Sequence, residues 1–437
     1  MRELPIGMLT ILVVLAAAGH AQEENGEAAR DVGLETEITV TSALPDFLPA
    51  ETVTEEEIES RGAADLVEAL RYQPALSAVR RGGINLEPTV RGLQENQVLM
   101  TVDGTRSFAA GPARMDSDLS HIGPHEASTV RVVKGPYALA WGAGALSAID
   151  VETFRPSFTG GDFSLSGSFG AGYVDNGDVV DARGGLWGAS DSFRFSVAAG
   201  LREGSDFEGG DGRTVPGDFE SQDYRWGVGW QLGESRLLEY TGGFQDQNDI
   251  DYPGRLLDAT FFETDFHHLA FNGVAGSDRE IVASVHMTDK SHLMNNDEKP
   301  TASDNPDRVP PFGIAVDLPT RSDTTGARFS WEQPTGAGTW KAGADVFDSE
   351  QSATRTISRR SDGRVLFEDI VWPDADIRDL GAYLQWMHAA DRYQYGATLR
   401  YDHVDASAGE VSDFFLANTT GALDQTEDNW SAALSAA

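Results

Sequence analysis

Residues 393–402 read Tyr-Gln-Tyr-Gly-Ala-Thr-Leu-Arg-Tyr-Asp, and this stretch decides the fold of the chain. From Tyr393 to Tyr401, every second side chain is apolar, and those between are polar or small. Successive side chains of a β-strand point to opposite faces, so the stretch predicts a strand with one apolar and one polar face. About ten residues are enough for a tilted strand to cross a bilayer.

The same alternation recurs through the second part of the chain, most clearly in residues 193–201, 225–232 and 281–288. Aromatic residues close several of these segments, as is typical of the interfacial girdles of membrane barrels. We predict twelve strands, near residues 162–173, 179–188, 192–202, 223–232, 236–246, 261–274, 280–290, 323–332, 339–348, 378–388, 392–404 and 428–437.

The connections between these strands alternate in length. Short ones fall at 189–191, 233–235, 275–279, 333–338 and 389–391. Long ones fall at 203–222, 247–260, 291–322, 349–377 and 405–427, and only the hairpin at 174–178 departs from the series. Outer-membrane barrels have tight turns at one end and long loops at the other, so short and long connections alternate along the chain. Soluble sandwiches do not require such an alternation.

Residues 46–155 have a different pattern and predict a compact α+β domain. Thr54 precedes three glutamates, as an N-cap precedes the first turn of a helix. Leu66 and Leu70 lie one helical turn apart, and Asp103-Gly104 is a strong turn signal. Strands are predicted near residues 89–93, 98–102, 129–133 and 148–153.

Four motifs in this domain occur in a specific order, at residues 62–70, 88–93, 97–106 and 130–136. Their sequences are GAADLVEAL, PTVRGL, QVLMTVDGTR and VRVVKGP. The region resembles the plug of TonB-dependent outer-membrane receptors. The resemblance implies an α+β plug domain followed by an antiparallel transmembrane β-barrel. It also implies an importer in the cell outer membrane that is not an enzyme and receives energy from the TonB protein.

A short alternating peptide precedes the plug. Its composition alone leaves two interpretations open: the first strand of the next domain, or a free strand that pairs with the edge of a partner's sheet. The resemblance implies the second, the TonB box that binds TonB. Its residues are Glu37, Ile38, Thr39, Val40, Thr41 and Ser42.

The N-terminus reads as an export signal. Residues 1–21 contain a short apolar run followed by small residues, which predicts a cleaved signal peptide, and residues 22–45 are polar and acidic, which predicts disorder around the TonB box. The plug then covers 46–155 and the barrel 156–437. Barrels of the resembled family have about 22 strands, so we expect the N-terminal half of a truncated barrel. A complete barrel of twelve strands would be too narrow for the plug.

Composition excludes several functions. The net charge of -37 disfavours nucleic-acid binding, and the lack of cysteine removes disulfides and thiolate chemistry. No catalytic constellation stands out, since Asp116 and Asp118 form a chance pair in so acidic a chain, and no cofactor is predicted. His267 and His268 are adjacent on a strand, so they face opposite sides and cannot share a metal without a bulge.

One candidate site concerns the cargo. Met115, His292 and Met294 resemble the copper-receptor branch of the family, in which a Cys-x-x-x-Met loop and a His-x-Met segment hold copper. Gly111 stands where the cysteine would be. Copper, or iron or another metal as a siderophore-like chelate, therefore remains open as the substrate. Two further alternatives are a passive porin and a secreted all-β protein that binds or hydrolyses carbohydrate.

Overall fold

The computed structural model describes residues 50–436 except 113, 135, 144, 145, 277, 301–306, 308, 391, 392, 410, 419 and 420. The predicted signal peptide, the acidic segment and the TonB box lie outside the described residues. No helix in the described part of the chain is both long and apolar enough to cross a membrane.

The first unit is built around a five-stranded sheet. Its strands and helices are β1 (Ala50–Thr54), α1 (Glu55–Ser60), α2 (Leu66–Leu70), β2 (Leu76–Val79), β3 (Glu87–Val90), β4 (Val98–Val102), β5 (Thr105–Arg106), β6 (Ala127–Lys134) and β7 (Ser147–Thr153). The sheet order is β1-β6-β7-β4-β5, while β2 and β3 form a separate hairpin. Among the described strands of this sheet, β4 and β7 pair in parallel and the other pairs are antiparallel.

Local sequence explains the short helices of this unit. Thr54 caps α1 as predicted, and the structure adds a capping box that Glu57 closes. Asp65 caps α2 by accepting from the backbone N–H of Val67 at 2.8 Å, and Leu66 and Leu70 are buried below it. The predicted turn after β4 is also confirmed. Asp103 and Gly104 both have positive φ, at 53° and 74°, which suits a tight hairpin.

In the described part of the second unit, twelve strands form one antiparallel sheet in chain order. They are β8 (Ser164–Val174), β9 (Val179–Ala189), β10 (Phe193–Gly204), β13 (Phe219–Gln231), β14 (Arg236–Ile250), β15 (Asp258–Ala275), β16 (Arg279–Asn295), β17 (Ile314–Thr335), β18 (Gly338–Arg359), β19 (Val365–Ala390), β20 (Tyr393–Ala408) and β21 (Gln425–Ala436). The β10–β13 connection contains a small hairpin of β11 (Phe207–Glu208) and β12 (Thr214–Val215). Helix α3 (Asp413–Asn418) precedes β21.

The predicted loop over residues 349–377 is wrong. Strand β18 continues to Arg359 and β19 already begins at Val365, so a five-residue connection replaces a long loop. These extensions carry polar residues on both faces, so they lack the alternation that marks a membrane strand. Their strand conformation comes from pairing with each other, residues 350–358 of β18 with residues 365–376 of β19.

The two faces of the large sheet differ in chemistry. On β16, Val285 and Met287 point outward and are 52 % and 39 % exposed, whereas Thr288 and Lys290 point inward and are buried. The outward face is therefore apolar and suited to lipid, and the inward face is polar, as expected for a transmembrane barrel.

The inward face holds the first unit. Polar side chains of the large sheet donate hydrogen bonds to main-chain carbonyl oxygens of the first unit, and these bonds satisfy backbone acceptors that the plug's own strands leave unpaired. These bonds run from Arg202 to Ala64, from Lys290 to Phe108, from Thr320 to Ala110, from Gln247 to Ser120 and from Arg328 to Ala140. The first unit is thus a plug seated against the barrel wall.

Candidate functional site

A buried apolar cluster joins the plug to the long-loop end of the barrel wall. We call it the junction cluster. The plug contributes Ile84, Ala110 and Met115, and the barrel contributes Phe219, Ile250, Tyr252, Ala259, Phe262, Met294, Leu318 and Ala353. The barrel members come from the ends of strands near the long connections, so the cluster lies at the plug apex.

All three predicted metal-site residues meet at this cluster. Met115 and Met294 belong to it and are 4 % and 2 % exposed. His292 lies two residues before Met294 on β16, so both side chains point inward from the same face of the strand. The structure therefore brings together a plug loop and a barrel strand that are far apart in the sequence.

The imidazole of His292 is held in a defined orientation. Its Nδ1 donates to the carbonyl oxygen of Ala110 at 3.1 Å and also contacts the hydroxyl of Thr320. The ring stacks on Phe262, with the centroids 4.8 Å apart and an angle of 9°. Because Nδ1 carries the proton toward a carbonyl, Nε2 keeps its lone pair, which is the arrangement found in metal-binding histidines.

Gly111 lies so close to His292 that no side chain fits at its position. A Cβ placed on Gly111 would lie 2.8 Å from His292 Nε2 and closer still to Cε1. Any side chain at this position, including cysteine, would displace the imidazole. The plug loop therefore approaches His292 through its backbone, and the free nitrogen faces that backbone.

A polar network next to the cluster fixes the same loop. Asp116 Oδ2 accepts from the backbone N–H of Ala110 at 2.7 Å and from His121 Nε2 at 2.8 Å. Thr264 on β15 lies 2.8 Å from the other ring nitrogen of His121. Burial, with the charge of Lys290, lowers the pKa of His121 to about 4, so its imidazole is neutral. Burial would raise the pKa of Asp116, but His121 and Lys290 lower it below its usual range.

This polar network holds the plug loop between Ala110 and Met115 in place. Asp116 stays ionised and spans the two ends of the loop that runs from Ala110 to Met115. Asp118 is also buried, which raises its pKa, and Lys290 opposes that shift. The two carboxylates considered as an acid and base pair thus lie within a buried array that links plug and wall.

Sequence reasoning missed several residues of this site. Phe262, Thr320 and Ala110 orient His292, yet none belongs to a recognisable motif. His267 and His268 lie as predicted on opposite faces. His267 contacts the hydroxyl of Tyr240 at 2.8 Å, whereas His268 is buried on the inner face. The residue opposite His268 in the ladder is His286, which the sequence analysis did not single out.

Comparison with known proteins fits this architecture of a plug within a barrel wall. Residues 48–149 match the family model of the TonB-dependent receptor plug domain. The vitamin B12 transporter BtuB of Vibrio vulnificus strain CMCP6 is 30 % identical over 150 residues, which are 33 % of this chain and 23 % of that protein. The haem/hemopexin utilization protein C of Haemophilus influenzae is 30 % identical over 107 residues, 23 % of this chain and 13 % of that protein.

Solved structures extend the likeness to the barrel. The copper transporter OprC superposes with a TM-score of 0.77 and 21 % identity, covering 89 % of this chain and 60 % of that one. The unliganded ferric citrate transporter FecA has a TM-score of 0.63 and 14 % identity, covering 88 % and 59 %. The chain thus spans about three-fifths of these structures.

The fold and the junction define an outer-membrane protein with a plug against its barrel wall. Residues 48–149 match the plug domain of the TonB-dependent receptors, and the rest of the described chain has the fold of a barrel wall like theirs. Its localisation is the cell outer membrane, and this argues against the secreted all-β alternative.

Proposed function

We propose that the protein imports a scarce metal across the outer membrane, as an ion or as a chelate, with energy transmitted by TonB. The observation that carries this proposal is the meeting of Met115, His292 and Met294 at one junction between plug and wall. A ligand held there touches both units at once. Movement of the plug would therefore break the site and release the ligand toward the inside.

The ligand set favours a soft cation. Two thioethers and one neutral imidazole suit Cu(I) better than hard ions such as Mg²⁺ or Ca²⁺. The copper transporter OprC is among the similar structures, which supports this cargo class. The set differs from a cysteine-containing one because Gly111 supplies no thiolate. Iron or another metal in a siderophore-like chelate is the second candidate, supported by the likeness to the ferric citrate transporter FecA.

Energy coupling is assigned to residues 37–42. They precede β1, which forms the edge of the plug sheet and pairs with β6 from Ala50 to Thr54. A peptide in front of an edge strand can pair with a partner's sheet and transmit a pull to the plug. Cargo and TonB are coupled only if the loaded receptor presents this peptide more than the empty one does.

Deletion of residues 37–42 tests the proposal. The deleted receptor should bind copper ions or a ferric chelate as the wild type does, while uptake of the radiolabelled metal by whole cells stops. Deletion of residues 23–28, of the same length and also N-terminal to the plug, is the matched control and should leave uptake intact. Uptake that continues in the first variant would refute TonB-dependent import.

A further inference from the structure

Two histidines face each other on the inner wall of the barrel. His268 on β15 pairs directly with His286 on β16 in the antiparallel ladder. Residues directly opposite have their Cβ atoms about 5 Å apart and on the same face of the sheet. His268 lines the space between plug and wall, so His286 points to that side too. Two imidazoles at this spacing can reach one metal ion.

His286 has unused binding capacity. Its Nε2 is buried and has no hydrogen-bond partner among the described residues. The ring lies over Gly326, its neighbour on β17, where a Cβ would be 2.6 Å from Nε2. An unpaired polar nitrogen in a buried place costs stability unless something binds it. In the structure the ring thus lies toward β17, and sharing one ion with His268 requires rotation of the His286 side chain about its Cα–Cβ bond.

The surroundings suit a hydrated cation. A cavity of about 190 Å³ lies between plug and wall, and His268 and Ser284 line it. Its lining carries six carboxylates and four basic side chains, so negative charge is in excess. A space of this size holds several waters, which can complete the coordination of a metal that has only two protein ligands.

The pair also lies at a distinct depth in the barrel. His286 is six residues from His292 along β16, about 20 Å in an extended strand. It therefore cannot share an ion with the junction cluster. The cavity continues from the pair toward the short turns, past Glu280 on β16 and Glu332 on β17.

We infer that His268 and His286 form a second metal site, which binds a divalent transition ion such as Cu²⁺, Zn²⁺ or Ni²⁺ through two imidazoles and water. Imidazole is a preferred ligand for these ions. The binding itself does not depend on what the receptor transports. Its role as a relay between the apex and the inner end of the barrel rests on the proposed function.

The test uses the full-length receptor in detergent, in a His292→Gln background that removes the junction imidazole. Titration with Cu²⁺ alone should show one site that His268→Gln or His286→Gln weakens at least tenfold. His267→Gln is the matched control, because this histidine neighbours His268 but faces outward, and it should bind as the background does. Zn²⁺ should raise the unfolding temperature of the background but not that of the two site variants.

Electron paramagnetic resonance of bound Cu²⁺ provides a readout that does not depend on folding of the variants. The background protein should show coupling to two imidazole nitrogens, and each site variant to one. Equal affinity in all variants, an equal loss in His267→Gln, or a spectrum without coupling to two nitrogens would overturn the inference. Since no step involves uptake, loss of transport after deletion of residues 37–42 leaves this result unaffected.

Discussion

The guanidinium of Arg225, on barrel strand β13, donates to the carboxylate of Glu126 in the plug over 2.9 Å. Only 10 % and 4 % of the two side chains are exposed. The guanidinium also lies over the ring of Phe266, 4.4 Å from its centroid. This ion pair thus joins the plug to the barrel wall at a buried place, where water cannot readily solvate either charge if its partner is removed.

Arg225→Met should destabilise the receptor by about 3–5 kcal/mol, because it leaves Glu126 buried without its charge partner. The double variant Arg225→Met with Glu126→Gln should recover much of that loss. Unfolding followed by tryptophan fluorescence in detergent measures both. Arg213→Met is the control, since Arg213 is 84 % exposed beside Asp211 and its pair should contribute about 0–1 kcal/mol. Equal effects of the two single variants would contradict the buried role.

Replacing Met115 and Met294 together by leucine should separate packing from metal binding. Leucine keeps the apolar volume, so stability should fall by less than about 1.5 kcal/mol per site. Binding of Ag⁺, used as a stable probe for Cu(I), should weaken at least tenfold because both thioethers are lost. Met100→Leu, in the plug core, is the matched control and should leave Ag⁺ binding unchanged. Unaltered Ag⁺ affinity in the double variant would remove the soft-metal site.

Gly111→Ala should destabilise the junction, because the new methyl group would lie 2.8 Å from His292 Nε2. Overpacking of this kind costs about 1–3 kcal/mol. Thermal unfolding measures the loss, and Gly161→Ala serves as control because its added Cβ meets nothing within 4 Å. An unfolding temperature of Gly111→Ala equal to that of the wild type would contradict the prediction, because it would show that His292 moves aside without cost.

Glu87 should make stability depend on pH. Burial, together with the charge of Asp118, raises its pKa from 4.5 to about 7, against the effect of Arg114. The folded state then binds a proton that the unfolded state releases, so stability from this group falls as pH rises from about 4.5 to 7 and is constant above. The stability of Glu87→Gln minus that of the wild type should therefore be larger at pH 8 than at pH 5. The unfolding temperatures at both values measure this, and a difference independent of pH would refute it.

The alternation of apolar and polar residues predicted the strands whose conformation depends on that alternation. Strand β4 lies at Val98–Val102 as predicted, and all twelve barrel strands occur in the predicted order. The extensions of β18 and β19 could not be predicted, since their strand conformation depends on pairing rather than alternation. The pairing of His268 with His286 was missed for a related reason. It depends on the register of two strands, which the turn between them sets and which no single segment encodes.

The meeting of Met115 with Met294 could be predicted only through family resemblance. One lies in a plug loop and the other at the end of a barrel strand, and nothing in either segment points to the other. The orientation of His292 by Ala110 and Phe262 needed coordinates, because a backbone carbonyl and a ring face leave no trace in sequence.

The hydrogen bonds from the barrel wall to main-chain oxygens of the plug have an evolutionary consequence. Arg202, Gln247, Lys290, Thr320 and Arg328 each bind a carbonyl, a group that every amino acid possesses. Mutations in the bound plug residues therefore leave these attachments intact, provided the loop keeps its path. The sequences of plug and barrel can therefore diverge at these points without compensating substitutions. A chimera with a plug from another receptor, if that plug has the same backbone path, would still form these hydrogen bonds.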